Sequence, residues 1–203
     1  WGFRIAVLGS LLSLLVAWAI GPWVLAATVL GVFCAWAYSA PPLRFKESGW
    51  IGPAVVALSY EGLTWFTGAS VMAGALPRME ILIVLLLYSL GAHGIMTLND
   101  FKAVEGDAAT GVRSLPVTLG VANAARLACA VMLVPQLVVI GLLANWGLTL
   151  SAVAVGLLTL GQLAAMPRLL SDPARFAPWY NGVGVACYVF GMLAAALGLG
   201  GYI

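Results

Sequence analysis

The sequence predicts an all-α protein, a polytopic bundle of seven transmembrane helices, and three observations lead there. Of its 203 residues, 63% are hydrophobic and only 8% charged, with a mean hydropathy of +1.07; a soluble domain has roughly 45–50% apolar and about 25% charged residues. The apolar residues gather in runs near the ~20 residues that cross a bilayer as a helix. The nine basic residues divide unevenly between the two sides that those runs define.

In order, the runs lie at about 3–20, 22–38, 51–73, 79–98, 121–144, 149–167 and 179–200. The first opens within a few residues of Trp1, without the charged n-region and cleavage site of a signal peptide. Gly21-Pro22 parts it from the second, proline being tolerated in a first helical turn. The second ends in AYSAPPLRFKESGW, residues 37–50, where Pro41-Pro42 stops the helix and Arg44 and Lys46 follow. The third and fourth runs are joined by the short segment 74–78, and the fifth and sixth by 145–148. The remaining connections, 99–120 and 168–178, are long and polar like 39–50, and all three fall on one side.

With Trp1 on the cytoplasmic side, Arg4, Arg44, Lys46, Lys102, Arg113, Arg126, Arg168 and Arg175 lie there and only Arg78 lies opposite. That bias is the positive-inside pattern. Trp23, Trp50, Trp146, Trp179 and Tyr180 fall near span ends, where amphipathic rings anchor. Cys34, Cys129 and Cys187 are odd in number and lie within apolar runs, so they predict packing residues and no disulfide framework. A net charge of +2, divided among loops, excludes a nucleic-acid partner. No soluble domain or solenoid repeat is evident, so residues 1–203 are expected to form one transmembrane helical domain.

Chemistry concentrates in the polar connections. Three of the seven acidic residues, Asp100, Glu105 and Asp107, lie within eight positions, with Lys102 and Arg113 close by. Such a cluster in so apolar a chain needs water, a cation or a basic partner. Asp100 and Asp107 would share one face of an unbroken helix, two turns apart; if Gly106 breaks the helix, a loop can still fold the second carboxylate back. Hard oxygen ligands beside cations suit Mg2+ holding a diphosphate, because Mg2+ takes one or two carboxylates plus phosphate oxygens. Arg44 and Lys46 reach phosphate from the same side. A solvated loop with internal ion pairs, and cations that merely obey the charge rule, are the plain alternatives.

Two polar residues lie deeper. Glu61, midway along the third span, is a carboxyl at a depth where charge costs roughly 2.5–3.5 kcal/mol or more; it faces a cavity or is satisfied by a neighbouring span. His93, the single histidine, lies two turns before Asp100. It either serves as a ligand through a neutral ring nitrogen or forms a buried hydrogen bond between Gly91 and Gly94.

The segments YSAPPLRFK, WIGPAVVALSYEGLTWFTGASVMAG, GAHGIMTLNDFKAVEGD and GVRSLPVTLG resemble the second Asp-rich motif and its surroundings in UbiA-type intramembrane prenyltransferases, in the chlorophyll and bacteriochlorophyll synthase branch. The resemblance covers at least residues 37–121; beyond 121 only the pattern of spans is similar. It implies a nine-helix fold, of which seven spans are present, so the chain reads as lacking two N-terminal helices. The first motif of the family, N-D-x-x-D-x-x-x-D, has no counterpart here, and Ala108 stands where relatives usually carry arginine. The chain as it stands is therefore expected to be inactive alone.

The resemblance also implies a reaction. Mg2+ held by Asp100 and Asp107, with Glu105 near, would neutralise the diphosphate of geranylgeranyl or phytyl diphosphate, while Lys102, Arg44, Lys46 and Arg113 hold its oxygens. Tyr38, Tyr60 or Trp65 would face the prenyl cation, Asn99 and Glu61 would contact substrate, and the propionate of bacteriochlorophyllide would be the acceptor. As a ligand, His93 would bind the central magnesium of that acceptor. Location in a bacterial inner, intracytoplasmic membrane follows, with the site loops cytoplasmic and with pigment-synthesis or photosynthetic-complex proteins as possible neighbours. Two rivals are a transporter, which would more often show two related halves, and a non-catalytic pigment-binding or assembly subunit.

Overall fold

The computed structural model describes residues 1–203, and it is helical throughout apart from connections and one isolated bridge. Six helices are long and apolar enough to cross a membrane: α1 (Gly2–Ile20), α2 (Pro22–Ser39), α5 (Met79–Asp100), α8 (Val121–Asn145), α9 (Thr149–Ser171) and α10 (Pro173–Leu199). The remaining expected crossing, the third, is helical but not regular. It runs as α3 (Ile51–Ala57), a π-turn (Leu58–Leu63) and α4 (Thr64–Ala73). Ala57 and Thr64 keep right-handed helical dihedrals on either side of the π-turn, so the three pieces follow one another without a gap. At about 1.5 Å per residue the stretch is roughly 34 Å long, enough for a bilayer core. Two short helices, α6 (Val104–Thr110) and α7 (Leu115–Leu119), occupy most of the expected loop 99–120.

The expected polar loop 168–178 does not exist as a loop. Helices α9 and α10 run into it from both sides and leave Asp172 alone as the joint. Asp172 Oδ1 accepts from Arg175 N at 3.2 Å, and Pro173 takes the first helical position, where its missing N–H is no loss. Arg168 lies over the rings of Trp179 and Phe176, at 4.4 and 4.8 Å. Polar residues here mark the headgroup zone, in which a helix is free to continue. Tyr180, expected as an interfacial anchor, is fully buried.

Helix α5 is the central element. It packs on α8, α3 and α10, while α9 lies against α8 and α10. Small residues set the spacing, as is usual where helices associate without a hydrophobic drive. At Gly94 a Cβ would stand 2.5 Å from the Ala128 carbonyl oxygen and 2.6 Å from Met132 Cγ, so only glycine permits this approach of α5 to α8. Polar ties complete the core: Gln136 Nε2 donates to Gln162 Oε1 (2.6 Å) between α8 and α9, and Tyr188 OH to the Tyr88 carbonyl (2.6 Å) between α10 and α5. Helix α1 is the least covered, resting on α2 through a Phe3–Trp36 edge contact and a bond from Trp36 Nε1 to Ser10 Oγ (3.0 Å). All three cysteines are free, and Cys34 and Cys129 are buried.

Candidate active site

Two connections on the same side of the bundle are sewn together through main chain. The first runs from α2 through a 3-10 turn (Phe45–Glu47) to α3, and the second contains α6 and Arg113. Gly49 N donates to Arg113 O (2.8 Å) and Arg113 N to Glu47 O (3.1 Å). A Cβ at Gly49 would lie 2.5 Å from Leu115 N and 2.6 Å from Arg113 O, both backbone atoms. The contact therefore demands glycine. Ser48 Oγ accepts from Ile51 N (3.2 Å) and caps the start of α3.

Above this junction is a cavity of about 430 Å³ whose lining includes Tyr38, Lys46, Asn99, Asp100, Asp107 and Ser114. Asp100 ends α5, the chain turns at Phe101–Ala103, and α6 then carries Asp107 back to the same space. The helix breaks there and not at Gly106, which sits inside α6. Both carboxylates are half-buried, and the Asp107 charge acts on Asp100. Unless a cation comes between them, two like charges at one cavity repel. Asn99 Oδ1 accepts from Asn181 Nδ2 of α10 at 3.3 Å.

The other expected site residues separate from this group. The Arg44 side chain is exposed, in a left-handed backbone conformation (φ 41°), and pairs with Glu47 at 2.9 Å. Lys102, Glu105 and Arg113 are exposed and outside the cavity lining; Arg113 contributes its main chain to the loop junction. His93 is buried, and its Nε2–H donates to the Trp50 carbonyl at 3.1 Å, so the ring is engaged at the contact of α5 with the start of α3. Trp65 packs against Tyr88 with ring centroids 5.8 Å apart.

Ser114 escaped sequence reasoning. Its side chain is 3% exposed, its Oγ has no hydrogen-bond partner, and it lines the cavity. A neutral hydroxyl in a loop gives no charge signal by which to find it.

From the polar cavity an apolar groove leads along α2. Tyr38 and Val56 belong both to the cavity and to a space of about 460 Å³ that Cys34 and Tyr60 also line. That space shares Gly31, Ala35 and Ser59 with another of about 460 Å³, which reaches Ala27 and Thr67. Tyr38 to Ala27 is 11 residues of helix, about 16 Å at ~1.5 Å each. A charged head and a long flexible apolar tail would fit the combined shape.

Comparison with known proteins gives the same direction. Residues 2–180 match the UbiA prenyltransferase family. The chain is 57% identical over 201 residues to the bacteriochlorophyll synthase 33 kDa chain of Cereibacter sphaeroides, covering 99% of this chain and 67% of that one. It is 50% identical to the same-named protein of Rhodobacter capsulatus, covering 100% and 67%. Chloroplastic chlorophyll synthase of Oryza sativa is 36% identical, with 97% of this chain and 52% of that protein covered. The chain thus spans about two thirds of the length of its bacterial relatives. No solved structure matches it. A multi-pass helical membrane protein with these matches belongs to the UbiA prenyltransferase family.

Proposed function

We propose that this protein transfers a prenyl group from geranylgeranyl or phytyl diphosphate to the propionate carboxylate of bacteriochlorophyllide, in a bacterial membrane with the polar cavity on the cytoplasmic side. The observation that carries the reading is the continuity of a cavity lined by Asp100, Asp107 and Lys46 with an apolar groove along α2. The names of the bacterial relatives support the acceptor.

The residues fit Mg2+ carried in with a diphosphate. No three His, Cys, Asp or Glu converge as they would at a self-sufficient metal site. Two carboxylates beside a lysine match an ion that completes its shell with phosphate oxygens and water. The orphaned, buried Ser114 Oγ points to a polar occupant as well, since such a hydroxyl is costly without a partner. Asp100 and Asp107 would hold the ion. When bound, it supplies neutralisation of the leaving diphosphate.

The protein residues do the rest. Lys46 donates to diphosphate oxygens, and Ser114 Oγ adds a neutral donor. The allylic carbon–oxygen bond breaks with both electrons going to the diphosphate, while the acceptor carboxylate oxygen forms the ester bond to that carbon. The acceptor is already deprotonated, so no proton moves and no protein base is needed. Tyr38, at the junction of cavity and groove, offers its ring to the developing positive charge. The apolar groove excludes water that would capture it.

The test uses membranes containing the protein, geranylgeranyl diphosphate, bacteriochlorophyllide and Mg2+. Asp100→Ala and Asp107→Ala should each abolish ester formation while the protein remains inserted, and EDTA should do the same to the unaltered protein until Mg2+ is restored. Near-normal turnover in both variants would remove the site assignment. Pigment binding without transfer in the unaltered protein would favour an assembly role.

A further inference from the structure

Midway along a crossing, away from either end, the chain carries a carboxylate without a partner. The Glu61 side chain is half-buried, makes no hydrogen bond and joins no ion pair. It lies on the π-turn Leu58–Leu63, an irregularity that is rare in helices and frequent at functional sites. Hydroxyls steady that turn, with Ser59 Oγ donating to Val55 O (2.8 Å) and Thr64 Oγ1 to Tyr60 O. Gly62 holds it against α5, where a Cβ would stand 2.7 Å from Ser89 Oγ. Two rings flanking Glu61 reach the surface, Tyr60 (69% exposed) and the half-buried Trp65; Trp65 packs inward on Tyr88, which with Tyr188 is fully buried, their rings edge-on at 5.3 Å.

From this geometry we infer that Glu61 is an oxygen ligand of the acceptor's central magnesium, holding the macrocycle beside Tyr60 and Trp65 so that its propionate arm extends to the diphosphate cavity. The inference rests on the acceptor proposed above. Of the intramembrane side chains that could ligate that metal strongly, Gln136 and Gln162 are fully buried and bonded to each other, which leaves His93 and Glu61. The His93 Nε2 is engaged by the Trp50 carbonyl and the residue is 9% exposed, whereas the Glu61 carboxylate is unengaged. Magnesium is hard and favours oxygen, and coordination gives a carboxylate at this depth the polar partner that it otherwise lacks. The spacing agrees. Gly62 packs beside Ser89, which precedes Asp100 by 11 residues on one continuous helix, about 16 Å at ~1.5 Å per residue. That separation leaves room for half a macrocycle, its propionate arm, and the allylic carbon and diphosphate that would lie between the arm and Asp100.

Binding to the protein in lipid nanodiscs tests this, using bacteriochlorophyllide and its demetallated form, bacteriopheophorbide, without any prenyl donor. Glu61→Leu should weaken the magnesium pigment about tenfold or more, as loss of a charged ligand does, and leave the demetallated pigment unchanged. The visible band that reports magnesium coordination number should shift with it. Glu61→Gln, which keeps shape and an oxygen, should fall between and guards against misfolding of the leucine variant. Equal weakening of both pigments would assign Glu61 to packing and overturn the inference, as would no change in either. Failure of the unaltered protein to bind either pigment would instead sink the acceptor reading.

Discussion

Gly49→Ala should pull apart the two connections that frame the polar cavity. The added methyl would meet Leu115 N at 2.5 Å and Arg113 O at 2.6 Å, and backbone atoms cannot swing aside as a side-chain tip would. The strands must part, and the bonds Gly49 N to Arg113 O (2.8 Å) and Arg113 N to Glu47 O (3.1 Å) lengthen or break. Two net hydrogen bonds are worth about 0.5–1.5 kcal/mol each, and overpacking at such a contact costs typically about 1–3 kcal/mol. Even the lower ends together give roughly 2 kcal/mol against the closed arrangement, about 30-fold in an equilibrium. Lys46 and Ser114 sit on opposite sides of this junction, so the loss should appear as a rise of that order in KM for the prenyl diphosphate. Amide hydrogen exchange in 45–50 and 111–115 should quicken in parallel, while α8 to α10 stay protected. Unchanged KM together with unchanged exchange would refute the view that this junction shapes the cavity.

Ser114→Ala removes a buried hydroxyl without adding bulk; losing one hydrogen bond of about 1–1.5 kcal/mol should raise KM for the prenyl diphosphate by roughly 5- to 10-fold, leaving pigment affinity alone, as steady-state assays in membranes would read. Gly94→Ala tests the bundle: contact with Ala128 O and Met132 Cγ should lower stability by about 1–3 kcal/mol, seen as earlier thermal unfolding in detergent.

The crossings were legible because a bilayer imposes length and hydropathy on every span, and α1, α2, α5, α8, α9 and α10 lie close to the apolar runs. The π-turn was not, since LSYEGL has no composition that sets it apart from a regular helix; its cause is local packing, with Gly62 pressed against Ser89. Residues 168–178 read as a loop in the sequence because polarity signals the headgroup zone, whereas the backbone there is free to stay helical. At the site, carboxylates in an apolar chain announce themselves, so Asp100 and Asp107 stand out, and Tyr38, Lys46 and Asn99 share their cavity. Charge alone could not tell Lys46, which is exposed but lines the cavity, from Arg44, Lys102 or Arg113, which are exposed and do not. Sidedness is readable from a sequence; direction of a flexible cation is not.

The single-residue elbow at Asp172 has a bearing on how the last two helices sit in lipid. With Ser171 closing one helix and Pro173 opening the next, the two segments have no slack by which either could shift without the other. So short a joint ties the depth and tilt of one segment to those of the other, and lengthening that elbow would loosen the tie even where the finished protein tolerated the change.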